Sequence, residues 1–127
     1  MGKRFWGGVA ILAVLFALGL WVAKSMETTH KAVAHHLEQA AREALTGDTK
    51  QGQESLQKAQ ELWQQRRFLT AAVADHGPME EIDSILSQLE SFAEADDGVS
   101  FAAWCRRAAR LVEAIGEAHK LTWQNLL

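Results

Sequence analysis

The sequence is short of the residues that build disulfides, turns and strands. It has 127 residues, with one cysteine, one proline and no tyrosine. A lone cysteine, Cys105, excludes an intramolecular disulfide and any metal site made from paired cysteines. No segment alternates polar and apolar residues over the length of a strand. Alanine, glutamine, glutamate and leucine are abundant and favour helices, so the composition predicts an all-α chain.

Beyond the N-terminal segment, positive charges are fewer than negative ones. Of the 13 lysine and arginine residues, 11 lie in residues 24–127, together with all 16 acidic residues, and this part therefore has a formal charge of −5. Phosphate contacts require clustered positive charge, so we predict no nucleic-acid partner. The chain contains no haem-attachment motif, no Gly-x-Ser-x-Gly turn and no phosphate-binding glycine loop. We therefore predict that the protein is not an enzyme and has no cofactor.

One stretch contains no charged residue at all. Residues 5–23 read FWGGVAILAVLFALGLWVA. As a helix this run is roughly 28 Å long at about 1.5 Å per residue, close to the ~30 Å hydrocarbon core of a bilayer. Trp6 and Trp21 lie near its ends, where aromatic rings prefer the headgroup region. The pattern predicts a transmembrane anchor in residues 1–24, which binds the lipid bilayer through residues 5–23.

The flanks of this run bear on orientation and on processing. Lys3 and Arg4 precede it and favour a cytoplasmic N-terminus under the positive-inside rule. We therefore expect a single-pass protein of the cell membrane, with residues 25–127 as an extracytoplasmic domain. One alternative is a signal peptide cleaved after Ser25, although such peptides have apolar cores of only ~7–15 residues. The other is a core helix of a soluble domain. Small residues four apart, such as Ala13 and Ala17, leave a homodimer through the anchor open.

Helical periodicity divides residues 25–127 into four segments. Turns are marked by Gly47, by His76-Gly77-Pro78 and by Asp96-Asp97-Gly98. The segments run from about Ser25 to Thr46, from Asp48 or Thr49 to about Asp75, from Pro78 onward, and from Asp97 or Ser100 onward. No proline or glycine separates the first segment from the anchor, so it can continue the anchor without a break. The predicted fold is a transmembrane helix followed by a small antiparallel bundle of about four helices.

The apolar stripes of these helices predict which side chains are buried. Trp63 and Trp104 occupy matching central positions on the second and fourth helices, so we expect both rings in the core. Cys105 lies on the same stripe and is expected to be a small core residue. The three histidines of the first helix are interpreted as solvated surface residues; they are His30, His35 and His36.

A faint internal repeat is also present. Shifting Asp48 onto Asp97 overlays Leu56 on Cys105 and, three residues further on, alanine on alanine. Two helical hairpins that each begin at an acidic turn resemble a pair of tetratricopeptide-like units. The tetratricopeptide consensus is absent, and two repeats are too few for a solenoid.

Polar residues are densest around the break between the second and third helices. Such a cluster can bind a cation or support acid–base chemistry. The interpretation we favour is a helix C-terminus followed by an acidic helix N-terminus, where such residues are ordinary. The candidate contacts for a ligand or partner are Arg66, Arg67, His76, Glu81 and Asp83.

Several of these residues resemble one protein family. The shared features are the anchor, the helical domain, Trp63, His76 followed by Glu81-Ile82-Asp83, the later Asp97 and the closing Asn125-Leu126-Leu127. The family consists of small single-pass membrane proteins of sporulating and anaerobic bacteria of the Firmicutes type, and it is known only as a domain of unknown function. Gly77-Pro78 after the histidine departs from its pattern. The resemblance implies a topology and no activity.

These observations favour a membrane-anchored helical interaction or scaffold module, whose partner is another membrane or envelope protein. The alternative function is an extracytoplasmic small-ligand sensor. In that case a cleft between helices would hold a polar molecule near Arg66, Arg67 and His76. A closed core with an exposed apolar groove favours the first function, and a cavity lined by those side chains favours the second.

Overall fold

The structure is a computed structural model that describes residues 2–73 and 76–126, without the side chains of residues 73, 119–124 and 126. Within these residues it contains four α-helices and no strand. They are α1 (Lys3–Leu45), α2 (Thr49–Val73), α3 (His76–Glu94) and α4 (Gly98–Leu126). The predicted all-α bundle is confirmed.

Helix α1 runs through both the apolar segment and the first bundle helix without interruption. From Leu20 to Thr46 the sequence has no glycine or proline, the residues that most often end or kink a helix. Residues 3–18 are exposed throughout, and the first buried residue of α1 is Met26. The helix therefore leaves the bundle and extends alone for about half its length.

The other helices pack around the second half of α1 in an up-and-down order. The most extensive contacts join α1 to α2 and to α4, and the contact between α2 and α3 is sparser than that between α3 and α4. Gly52 near the start of α2 lies against the end of α1, whereas Trp63 lies further back beside His30. The two helices are therefore antiparallel. Buried apolar side chains fill the centre, among them Leu37, Ala40, Leu56, Ala59, Trp63, Ile82, Leu89, Phe101, Cys105, Ala108 and Val112.

Two turns of the same design close the two hairpins. In the first, Gly47 has φ +92° and the carboxylate of Asp48 accepts a hydrogen bond from the amide of Gln51 at 3.1 Å. In the second, Asp96 has φ +54° and Asp97 accepts from the amide of the residue three further on, also at 3.1 Å. The left-handed conformation at each turn suits glycine and, less well, aspartate. Because their carboxylates accept these amide hydrogen bonds, Asp48 and Asp97 are the N-caps of α2 and α4.

The pKa of Asp97 is lowered from its ordinary value. The cause is the pair of hydrogen bonds that its carboxylate accepts from the Ser100 side chain and backbone, and burial opposes the shift. Hydrogen bonds to the charged form of a carboxylate favour ionisation. The cap is therefore a charged one at the positive end of the α4 dipole.

The predicted repeat is present in the packing of the two hairpins. With a shift of 49 residues, Ala40 corresponds to Leu89, Ala44 to Ala93 and Leu56 to Cys105, and all of them are buried. The two turns also touch, since Thr49 Oγ1 donates a hydrogen bond to Asp96 Oδ1 at 3.0 Å. The bundle is thus built from two similar hairpins that meet at their turns.

Glycine permits this meeting. A Cβ added at Gly52 would lie 3.1 Å from the carbonyl oxygen of Ala40 and 3.3 Å from the ring of Phe101. A Cβ at Gly98 would lie 3.0 Å from the carbonyl oxygen of Ala44. Although Gly52 lowers the intrinsic propensity of α2, it allows the hairpins to approach to backbone contact.

Three sequence predictions are wrong. His30 is buried, with only 3% of its surface exposed and its ring centre 6.2 Å from that of Trp63. Trp104 is only partly buried. The third helix, α3, begins at His76, two residues before the predicted start at Pro78. The predicted end of the second helix at Asp75 lies outside the described residues.

Candidate functional site

The candidate residues are divided between two seams of the bundle. Arg67 and Asp83 meet across the α2–α3 seam, where the arginine Nε and Nη2 donate to Asp83 Oδ2 at 3.0 and 2.7 Å. Glu81 instead faces α4 and pairs with Arg107. His76 is exposed at the first residue of α3, and Arg66 is half-buried on α2. The structure therefore joins one pair out of the five candidates.

Asp83 is the centre of a small network that sequence reasoning missed. Its second oxygen, Oδ1, accepts a hydrogen bond from the indole Nε1 of Trp63 at 2.8 Å. The carboxylate thus receives N–H groups from two residues of α2 that are four positions apart. The pKa of Arg67 is raised above its ordinary value, mainly by the hydrogen bond to Asp83 and by the charge of that carboxylate. Burial opposes this shift, and the charge of Glu80 adds to it. The network holds α3 to α2, whose contact is sparser than that between α3 and α4.

Glu81 and Arg107 belong to a second network on the opposite side of α3. The guanidinium of Arg107 lies 5.6 Å from the ring centre of Trp104. Trp104 in turn stacks on Phe92 with the ring centres 6.5 Å apart and the planes 13° from parallel. All these groups are at least partly exposed. This network covers the α3–α4 seam and contributes nothing to the Arg67–Asp83 pair.

An open polar groove runs along the α2–α3 seam. One half has a volume of about 320 Å³ and the other about 310 Å³, and the halves share Gln60 and Glu90. Gln60 Nε2 donates to Glu90 Oε1 and to the carbonyl oxygen of Leu86, both at 3.2 Å. We call this surface the amide groove; it is lined by Gln53, Leu56, Gln57, Gln60, Gln64, Arg67, Asp83, Leu86, Ser87, Glu90 and Glu94.

The amide groove was not found from the sequence, although a signal was present. Gln53, Gln57, Gln60 and Gln64 follow one another at intervals of four, three and four residues, the spacing that places side chains on one helix face. Because neutral amides carry no charge and form no known motif, this row of four glutamines looks in the sequence like any solvent-exposed helix face. Amides both donate and accept hydrogen bonds, and such a row suits a polar partner.

A smaller pocket of about 200 Å³ lies between α1 and α4. His30 forms its buried wall, and four charged residues surround its opening, namely Glu27, Lys31, Glu113 and Glu117. Gly116 completes it, because a Cβ there would lie 3.6 Å from the His30 ring. Lys31 and Glu27 form an exposed ion pair across one turn of α1 at 3.1 Å.

Nucleophilic and metal chemistry find little support in the described part of the chain. Burial raises the pKa of the Cys105 thiol to about 12, so its thiolate is scarce near neutral pH. No group of three or more potential metal ligands occurs among the described residues. The predicted absence of enzymatic activity stays a prediction.

One helix among the described residues, α1, is long and apolar enough to cross a membrane by length and composition. A signal sequence near an N-terminus would have the same properties. None of the apolar window that qualifies α1 is buried inside the protein, which distinguishes it from the core helix of a soluble domain.

Comparison with known proteins identifies a family and no activity. A family model described as a domain of unknown function (DUF4363) matches residues 20–126. The match covers the whole bundle and begins near the end of the apolar run, so the chain belongs to this family. No curated protein and no solved structure matches the chain.

Proposed function

We propose that this member of the DUF4363 family is a membrane-anchored helical module that works by binding another membrane or envelope protein. The family match covers the bundle, and the apolar helix in front of it supplies the anchor. In keeping with the resemblance noted above, we infer a single-pass protein of the sporulating or anaerobic Firmicutes type. Its domain of residues 25–127 lies outside the cytoplasm.

One observation carries this proposal. The first half of α1 is an apolar helix of bilayer length whose residues 3–18 are exposed throughout. Leaving so many large apolar side chains in water is unfavourable by about 25 cal/mol per Å². A lipid bilayer removes that cost and leaves the helix backbone fully hydrogen-bonded.

The orientation can be tested with single cysteines. The native Cys105 is buried and its thiol pKa is raised, so it contributes little background. Ser91→Cys, at an exposed position of α3, should react with a membrane-impermeant maleimide in intact cells. Gly2→Cys, at the exposed N-terminus, is the matched control and should react only after lysis. The reverse pattern would show a cytoplasmic bundle, and a mature chain that begins at Met26 would show a cleaved signal peptide.

The amide groove is the surface we assign to the partner. The core of the bundle is closed by packed side chains. The groove is polar rather than the apolar groove expected from the sequence, with a row of amides along about three turns of α2 and three carboxylates on α3. Such a surface supplies hydrogen bonds to a polar partner segment and little apolar area. Binding through it is therefore expected to be specific and modest in strength.

Site-specific crosslinking in native membranes tests this assignment. A photoreactive amino acid at Gln57, which lines the groove, should give a discrete adduct with one partner. The same group at Ala103, an exposed position on α4, is the control and should not. Equal adducts from both positions would remove the groove as the binding surface. An adduct of twice the chain mass would identify a homodimer.

A small-ligand sensor is the second candidate function. It is favoured by the half of the groove at Arg67 and Asp83, whose volume of about 310 Å³ reaches the lower end of ligand pockets. In this case polar metabolites should raise the melting temperature of the purified full chain. Gln64→Ala, on the groove wall, should abolish that rise and leave the basal melting temperature unchanged. Ala103→Ser is the matched surface control.

A further inference from the structure

Phe68 on α2 exposes 83% of its surface. Single exposed apolar residues are common on protein surfaces, so exposure alone carries no conclusion. The position of this residue along the bundle is what distinguishes it.

Phe68 lies at the end of the bundle from which the apolar half of α1 emerges. The antiparallel helices α1 and α2 lie side by side, with Gly52 of α2 at the same height along the bundle axis as Ala40–Ala44 of α1. Trp63 of α2 is at the same height as His30 of α1. Counting onward along α2 and back along α1 places Phe68 level with about Met26. That is roughly 4 Å along the axis beyond Ala23, at about 1.5 Å per residue.

A membrane-spanning α1 would place this level in the headgroup layer. The hydrocarbon core is ~30 Å thick and the whole bilayer ~40–45 Å, so each headgroup layer is about 5–8 Å deep. Side chains of α2 lean toward its N-terminus, and hence away from the bilayer centre. The Phe68 ring is therefore expected among headgroups rather than among acyl chains.

The surrounding sequence agrees with contact of this kind. Residues 68–74 read FLTAAVA and contain no charged residue, whereas the preceding part of α2 carries a charge every few residues. The start of α3 reaches the same level, because Asp83 is level with Trp63 and the residues five or six before it are Gly77 and Pro78. Both of these are exposed, as is Ala72 on α2.

We propose that this surface, defined by Phe68, Ala72, Gly77 and Pro78 and here named the proximal face, rests on the headgroup layer of the lipid bilayer. The inference rests on the proposed membrane anchor and adds a second contact to it. Aromatic side chains favour this layer, and two contacts orient the bundle where a single helix would leave it free to turn about its axis.

Depth-dependent fluorescence quenching of the full chain tests the proposal. The chain is reconstituted in vesicles of phosphatidylcholine and phosphatidylglycerol and labelled at single cysteines with a polarity-sensitive fluorophore. The positions are Phe68→Cys on the proximal face, Val99→Cys at the far end, which is 73% exposed, and Leu15→Cys in the middle of the apolar run. Spin labels are placed either on the lipid headgroup or deep on the acyl chain.

The label at position 68 should lose fluorescence to the headgroup quencher, whereas the label at 99 should respond to neither quencher. The label at 15 should respond most to the deep quencher. Equal accessibility of positions 68 and 99 to aqueous iodide, with position 15 still quenched by lipid, would overturn the proximal face and leave the anchor intact. Failure of both lipids to quench position 15 would overturn the anchor, and this inference with it.

Discussion

Replacement of Trp63 by alanine should destabilise the bundle far more than the same change at Trp104. Trp63 is 1% exposed, packs beside His30 and donates its indole N–H to Asp83. Its truncation removes transfer free energy, leaves a cavity and breaks a hydrogen bond to a charged acceptor, at a total cost of about 4–6 kcal/mol. Trp104 is partly exposed and loses mainly its contacts with Phe92 and a surface arginine, which are worth about 1–3 kcal/mol together with its smaller burial.

Urea unfolding of the full chain in detergent micelles, followed by far-ultraviolet circular dichroism, measures both changes. With a slope of about 1.5 kcal/mol/M, the midpoint should fall by about 3 M for Trp63→Ala and by about 1 M for Trp104→Ala. Trp63→Phe separates packing from hydrogen bonding, since it keeps most of the ring and should cost only about 1–2 kcal/mol. Equal midpoints for the two alanine variants would refute the assignment of Trp63 to the core and of Trp104 to its edge.

Asp83→Asn removes the charge of the α2–α3 network and should cost about 1–2 kcal/mol of unfolding free energy, whereas Glu81→Gln in the exposed pair should cost less than about 1 kcal/mol; the reverse order would contradict the network. Asp97→Ala removes the N-cap of α4 and should lower the urea midpoint. Because the folded pKa of Asp97 is lowered, this difference should be present above about pH 4 and shrink as pH falls through the folded pKa. Burial, together with the charges of His35 and Lys58, lowers the pKa of His36, so the folded state favours the neutral imidazole. Folding stability should therefore fall as pH drops below about 6.5. Over the same pH range, the melting temperature of His36→Gln should fall less than that of the parent protein. Maleimide should label Cys105 slowly at neutral pH in the native protein and rapidly in denaturant; fast native labelling would contradict its burial.

Local rules were sufficient for the helices and turns. The apolar run, the left-handed position at Gly47 and the capping carboxylates at Asp48 and Asp97 each depend on residues within a few positions, and all appear in the structure. The exception is the start of α3, for which the sequence predicts Pro78. Proline and glycine suggested an interruption, but proline is also compatible with the first turn of a helix, and α3 begins at His76.

The positions that failed depend on which helices become neighbours. His30 lies at helical spacing from Met26 and Val33, on the buried stripe of α1, but its polarity led to an outward placement. Because α1 contacts both α2 and α4, a wider part of its surface is buried, and His30 lies within that part. The Trp63–Asp83 contact joins residues 20 positions apart, and no local pattern specifies it. Of the candidate site, the sequence indicated Arg67 and Asp83 as members but could not show that they pair.

The continuity of α1 also has a mechanical consequence. The helix is a single stiff rod from Lys3 to Leu45, and about 33 Å of it lies between Ala23 and Leu45 at ~1.5 Å per residue. If the first half spans the bilayer as proposed, its tilt is transmitted to the bundle without a hinge. A change in tilt of about 20°, which lies within the spread of tilts that membrane helices show, would sweep the two touching turns sideways by about 11 Å. The position of the far end of the protein would thus report the tilt of the anchor in the membrane beneath it.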